Sequence, residues 1–91
     1  MAEEITVVFD DEKVRVEKIK SFGIKSADGF WYDQDEREIA AVTKGRAVLE
    51  FENGGTIELK EGGFCLLEPH EKHRVAFTST DCEWLCIFFK N

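Results

Sequence analysis

Apolar and polar residues alternate along most of this chain with a period of two, in segments about as long as single β-strands. Arg46–Glu52 is the clearest case, with Ala47, Leu49 and Phe51 on one face and Val48, Glu50 and Glu52 on the other. Thr56–Lys60 repeats the pattern with Ile57 and Leu59 inward, and Val14, Val16 and Ile19 stand among charged neighbours as a half-buried strand. Further on, His73, Val75 and Phe77 share a face of a strand reaching Thr78. Ile39–Val42 and Phe64–Leu67 are short apolar runs, and Phe30-Trp31-Tyr32 opens another strand. Trp84–Phe89 is apolar on both faces, which fits a strand sandwiched in the core or set against a partner subunit.

Turn chemistry separates these segments. Asn53-Gly54-Gly55 is a strong hairpin signal, because Asn and Gly tolerate the positive φ that hairpin turns need. Gly45, Glu61-Gly62-Gly63 and Ser79–Glu83 turn the chain elsewhere, and Ser21–Gly29 reads as loop. Near the N-terminus, Ile5–Phe9 precedes the acidic turn Asp10-Asp11-Glu12, so residues 1–12 hold an edge strand or a loosely held arm. The count comes to roughly eight short strands without a helical period, which predicts an all-β antiparallel sandwich or barrel with little or no helix.

Composition fits this picture and narrows the partners. Ninety-one residues make one domain, spanning 1–91, and 43% apolar residues with eight Phe and two Trp suffice for one core. Nineteen acidic against 12 basic side chains, net −7, exclude a phosphate-tracking surface, so nucleic acid is not an expected partner. The start Met-Ala-Glu-Glu lacks the features of a secretory signal and no run is long enough for a membrane span, so a cytoplasmic protein without membrane contact is expected. Cys65, Cys82 and Cys86 are an odd number without Cys-x-x-Cys spacing and read as buried small hydrophobes rather than a disulfide framework.

Candidate chemistry gathers in Gly62–Phe77, which holds both histidines, His70 and His73, and the only proline. The strand alternation carries His73 inward, where it is either a ligand or a histidine satisfied by a hydrogen bond to Tyr32 or Glu38. His70 lies in the preceding turn and can face the same mouth or solvent. No Ser or Cys stands beside a histidine with an orienting third group, and no phosphate-cradling loop opens a helix.

Two spacings coincide with a known family. Gly62, Glu68, His70, His73 and Phe77 occupy the intervals of the second cupin motif, and Glu38 with Gly45 follows the end of the first. Gly29-Phe30-Trp31-Tyr32-Asp33-Gln34-Asp35-Glu36 and Pro69-His70-Glu71-Lys72-His73-Arg74-Val75 look like short bacterial cupins with a Trp-Tyr-Asp-Gln signature. The chain thus resembles a small single-domain cupin over about Phe30 to Phe89. The resemblance implies a jelly-roll β-barrel, often a homodimer, with a metal in the mouth held by side chains of both motifs.

Only Glu38 and His73 keep the family's usual ligand types. Tyr32 and Gln34 stand where the motif histidines belong, Pro69 is displaced by one place, and Phe77 replaces an asparagine. One reading is therefore a divalent transition metal (Zn, Fe, Ni or Mn) near His73, Glu38, Gln34 and His70, acting on a small oxygen-rich ligand such as a sugar, enediol or organic acid. Asp33 and Glu68 are further oxygen donors, while Tyr32, Trp31 and Phe77 would line the ligand cavity. The alternative is a metal-free module that binds a small molecule with His73, Tyr32 and Gln34, or that serves dimerisation. Whether the protein is an enzyme is open at this point, because the fold hosts both enzymes and binders.

Overall fold

The computed structural model describes residues 2–91. Its eight strands are β1 (Glu4–Asp10), β2 (Val14–Lys20), β3 (Arg37–Lys44), β4 (Arg46–Phe51), β5 (Thr56–Lys60), β6 (Phe64–Leu67), β7 (His73–Thr78) and β8 (Glu83–Phe89), with no helix among the described residues. They form a five-stranded sheet in the order β1-β2-β8-β3-β6 and a three-stranded sheet in the order β5-β4-β7, every pair antiparallel. The two sheets face one another as a jelly roll, as the alternation and turn signals predict.

The core is the set of inward residues the period of two selects: Ala40 and Val42 on β3, Ala47 and Leu49 on β4, Leu59, Leu67, and Trp84, Cys86 and Phe88 on β8. β8 pairs with both β2 and β3, and its second apolar face, Leu85 and Ile87, lies half-buried on the back of the large sheet. The small sheet has fewer strands than the large one. β1 lies at the margin of the large sheet and is exposed along its whole length.

The connection between β2 and β3, residues 21–36, does not wander over the surface. It runs along the free edge of β7 and saturates it with hydrogen bonds: Gly23 N to Ser79 O, Ser26 N to Val75 O, Tyr32 N to His73 O and His70 N to Gln34 O. Arg74 adds side-chain bonds to the Ser26 and Ala27 carbonyls, and the Ser26 hydroxyl accepts from Val75 N. An otherwise open sheet edge is thereby covered. Phe30-Trp31-Tyr32, expected to open a strand, belongs to this segment, and only Tyr32 forms a β-bridge, with His73. The physical reason is that β7 offers the segment one bridging position rather than a ladder.

Two further expectations are corrected by register. Val48 pairs with Phe77 whereas Leu49 pairs with Val75, so Ala76 is the extra residue of a β-bulge. Bulges invert side-chain parity beyond them. His73 and Val75 point inward, but Phe77 emerges on the outer surface beneath the Arg46 guanidinium, 4.4 Å from its ring centre. On β2 the charged positions, not Val14 and Val16, face the interior: Glu17 is opposite Cys86 and Arg15 opposite Phe88, while Val16 shares the outer face with Ile87. These charges are partly buried at the barrel mouth and are compensated by pairing, Arg15 with Glu17 and Glu36.

Gly45 shows why the turn after β3 needs glycine. Its φ of +73° is left-handed, and a Cβ there would lie 2.3 Å from Ser79 Oγ and 2.6 Å from Asp81 Oδ1. Gly54, at φ +97°, meets nothing within 4 Å. Both Gly→Ala changes carry the left-handed penalty of roughly 1 kcal/mol, but Gly45→Ala must also push aside the Asp81 carboxylate and the Ser79 hydroxyl, which accepts from Arg46 N, and crowd Cys82 Cα at 3.1 Å. Urea denaturation is expected to show Gly45→Ala losing at least ~1 kcal/mol more than Gly54→Ala; equal losses would refute the steric account.

Candidate functional site

The mouth of the barrel holds a cavity of about 190 Å³ between the sheets. Its lining includes Glu3, Glu17, Tyr32, Gln34, Glu38, His73, Trp84, Cys86 and Phe88 above an aliphatic floor of Ala40, Leu49 and Leu67. By liquid volume that space equals about six waters. Each polar group arrives by a different route: Glu38 from the start of β3, His73 from the start of β7, and Tyr32 and Gln34 from the segment that docks on β7.

His73 is 4% exposed. Its Nδ1 lies 2.8 Å from the Glu71 carbonyl oxygen, which can only accept, so Nδ1 carries the proton and Nε2 offers a lone pair. Nε2 has no partner among the described residues. The buried side-chain polar atom left unpaired among the described residues is Arg74 Nε, outside this cavity, so His73 Nε2 is reached by solvent, through the cavity its ring lines. The Tyr32 ring stacks on the imidazole, with centres 5.3 Å apart and planes 22° apart, and Phe51 lies 6.4 Å away on a tilt. The His73 imidazole bonds neither the Tyr32 hydroxyl nor the Glu38 carboxylate, the partners that one of the two sequence readings gave it; the Glu71 carbonyl of its own turn is its partner.

Glu38 is 7% exposed and stands without a cationic partner. Burial pushes its carboxyl above the ordinary value of 4.5, against hydrogen bonds from Gln34 and the Cys86 thiol that favour the ionised form. The Gln34 amide nitrogen donates to both Glu38 Oε1 (3.0 Å) and the Glu36 carbonyl (3.2 Å), which fixes its orientation. Burial, reinforced by neighbouring carboxylates, likewise raises the Tyr32 phenol, so it remains neutral. The Cys65 thiol is pushed up to about 11 by burial, and Cys86 higher still by burial and the adjoining Glu38, so neither is a nucleophile near neutrality.

A second polar group closes the side wall. Ser21 is fully buried; its hydroxyl accepts from Trp84 Nε1 at 3.0 Å and donates to Glu3 Oε2 at 2.8 Å. This chain ties the N-terminal segment to the tryptophan wall. At the rim, Arg15 pairs with Glu17 and, through two nitrogens, with Glu36, while its guanidinium lies 4.3 Å from the Phe88 ring centre.

Of the residues nominated from sequence, His73, Glu38, Gln34 and Tyr32 meet at this cavity, and His70, Trp31 and Phe77 do not line it. His70 is turned away by its own backbone: at φ +61° its imidazole points outward, two-thirds exposed, with Nδ1 2.7 Å from Asp33 Oδ1. Glu68, the other outlying candidate, pairs with Arg37 on the surface. Sequence reasoning missed Glu3, Glu17, Ser21, Trp84 and Cys86. The shared parity of Arg15, Glu17 and Ile19 was the available signal for Glu17; nothing local marks Glu3 or Ser21.

This donor set does not fit a transition ion. Among the described residues no three His, Cys, Asp or Glu side chains are grouped to hold a metal. His73 and Glu38 are two conventional donors, Glu38 is engaged by Gln34 and Cys86, and the neutral Tyr32 phenol is a weak third. What the arrangement does offer is a set of hydrogen-bond acceptors at the end of an apolar pocket.

Comparison with known proteins supplies context. A cupin domain model matches residues 25–88. A solved structure from Ralstonia eutropha JMP134, provisionally named a mannose-6-phosphate isomerase, is 28% identical and covers 98% of this chain and 85% of its own, with a TM-score of 0.92. KdgF from Halomonas sp. is 17% identical, with TM-score 0.84, covering 99% of this chain and 82% of its own. A cupin superfamily protein from Desulfitobacterium hafniense DCB-2 is 13% identical at TM-score 0.83, covering 98% and 78%. The latter two share the fold. No curated protein sequence matches the chain.

Two stability measurements check this geometry. Because the folded pKa of Glu38 is raised, the group favours the fold while protonated, and its contribution weakens as pH rises from 4.5 through the folded value. Glu38→Gln is therefore expected to flatten the fall in stability above pH 4.5, and a steeper fall in the variant would contradict the assignment. Ser21→Ala leaves the buried Trp84 Nε1 without an acceptor and is expected to cost about 1–3 kcal/mol in urea denaturation.

Proposed function

This chain belongs to the cupin family, and on that premise we propose that its barrel mouth binds a small polar organic molecule directly, through acceptors of the protein rather than through a metal. The observation that carries the reading is His73: a buried imidazole with its Nδ1 proton committed to Glu71 and its Nε2 lone pair free at the cavity. Buried polar groups are normally paired, and one left open at a cavity is a place for a ligand to pair. Glu38, held beside it by Gln34, and the stacked Tyr32 supply a second acceptor and a neutral hydroxyl. The apolar floor of Ala40, Leu49 and Leu67 receives the carbon skeleton.

Ligand selection here rests on shape and hydrogen bonding. The pocket is largely preorganised, because His73 is fixed by Glu71, Gln34 by the Glu36 carbonyl, and the Tyr32 ring by stacking on the His73 imidazole. Less ordering entropy is then lost on binding.

A screen of small hydroxylated and amino compounds by protein-observed NMR tests the proposal. Binders are expected to shift Tyr32, His73 and Trp84 resonances together, equally with and without EDTA, and His73→Ala is expected to lose those shifts while keeping its folded spectrum. Binding abolished by EDTA and restored by zinc would overturn the metal-free reading.

A further inference from the structure

The charge of the cavity narrows the ligand class. Three formally charged side chains line it, Glu3, Glu17 and Glu38, and not one Lys or Arg does. Glu17 shares the single Arg15 guanidinium with Glu36 at the rim, which leaves that group with one net negative charge. Glu3 and Glu38 have no cationic partner; Glu3 accepts from the Ser21 hydroxyl, and Glu38 from the Gln34 amide. An overall charge of −7 adds to the same sign.

Acidic residues alone do not make a site. Here the independent observation is again the unpaired Nε2 of a 4%-exposed His73, an acceptor that asks for a donor on the ligand. Aromatic side chains complete the lining: Tyr32 and Trp84, the latter with its Nε1 already bonded to Ser21, while the Phe88 ring is taken by the Arg15 guanidinium 4.3 Å from its centre. Acceptors with uncompensated negative charge, beside aromatic rings, are complementary to an ammonium group with three donors.

From this we infer that the cavity selects small primary ammonium compounds over neutral ones and rejects phosphorylated or carboxylated ones. The inference deepens, and rests on, the reading of this cavity as a small-molecule site. An anion would be desolvated beside Glu3 and Glu38, and the one guanidinium at the rim, Arg15, is already committed to Glu17 and Glu36, whereas phosphate and carboxylate sites are built on available Arg, Lys or clustered backbone amides. The sugar phosphate in the name of the Ralstonia protein is thus not the ligand expected for this chain. The volume of about 190 Å³ restricts the ammonium compound to a short carbon chain.

The test uses three four-carbon probes, butylammonium, 1-butanol and butyrate, with mannose 6-phosphate as a second anion, titrated into the full chain. Chemical shifts of Tyr32, His73 and the Trp84 indole N–H give the readout at the cavity itself, which excludes loose association of amines with the acidic surface. Hydrogen bonds to a charged group exceed neutral ones by enough to make butylammonium about tenfold tighter than butanol, while butyrate and mannose 6-phosphate leave the cavity resonances unmoved. Glu3→Gln, in the exposed N-terminal segment, is expected to narrow the margin, and Glu3→Gln with Glu38→Gln to abolish it.

Either anion binding as tightly as butylammonium overturns the inference. Equal binding of butylammonium and butanol, lost in His73→Ala, overturns the charge selection and leaves the pocket reading standing; no cavity shift from any probe overturns both.

Discussion

Two backbone hydrogen bonds, Tyr32 N to His73 O at 2.7 Å and His73 N to Tyr32 O at 3.2 Å, hold together the parts of the chain that make the barrel mouth. They join residues far apart in sequence, so they fix a connecting segment that would otherwise be free. Through them β7 gains a neighbour along its open edge, and Gln34 comes within reach of Glu38. A sixteen-residue connection without strands of its own is unusual in so compact a chain and is a common setting for function. Here its order is borrowed from the edge it covers.

The polar groups of the mouth form a linked system. Ser21 cannot be buried without the Trp84 indole and the Glu3 carboxylate, and Glu38 cannot be buried without Gln34 and Cys86. Each buried acceptor is satisfied from inside the protein except where the cavity begins, at His73 Nε2. A folding core has no need of such an opening, since a hydrophobic side chain at position 73 would fill the space at lower desolvation cost.

Much of the fold was legible from periodicity, because a strand buried on one face must alternate and a hairpin with positive φ must use Gly or Asn. Arg46–Phe51 and Thr56–Lys60 with Asn53-Gly54-Gly55 between them are the direct case. The spacing of Glu38, Gly45, Gly62 and His73 added the family, and with it the meeting of two distant segments. His70 escaped because side-chain direction in a turn follows φ, and φ +61° cannot be read from residue identity. Phe77 escaped because a bulge at Ala76 leaves no local mark, yet reverses every position after it.

The sequence by itself determined the all-β architecture, its turns, and the inward course of His73, since these depend on local periodicity and on residues within one strand; Glu38 was named only by its spacing from Gly45 in the family motif. Only the tertiary structure decided the character of the site. Whether a metal could be held, which carboxylates gather there and which cations stay out depend on through-space distances between segments. Glu3, Glu17 and Glu38 lie on three different stretches of chain, and no periodicity within any one of them encodes that they share a cavity with no lysine or arginine.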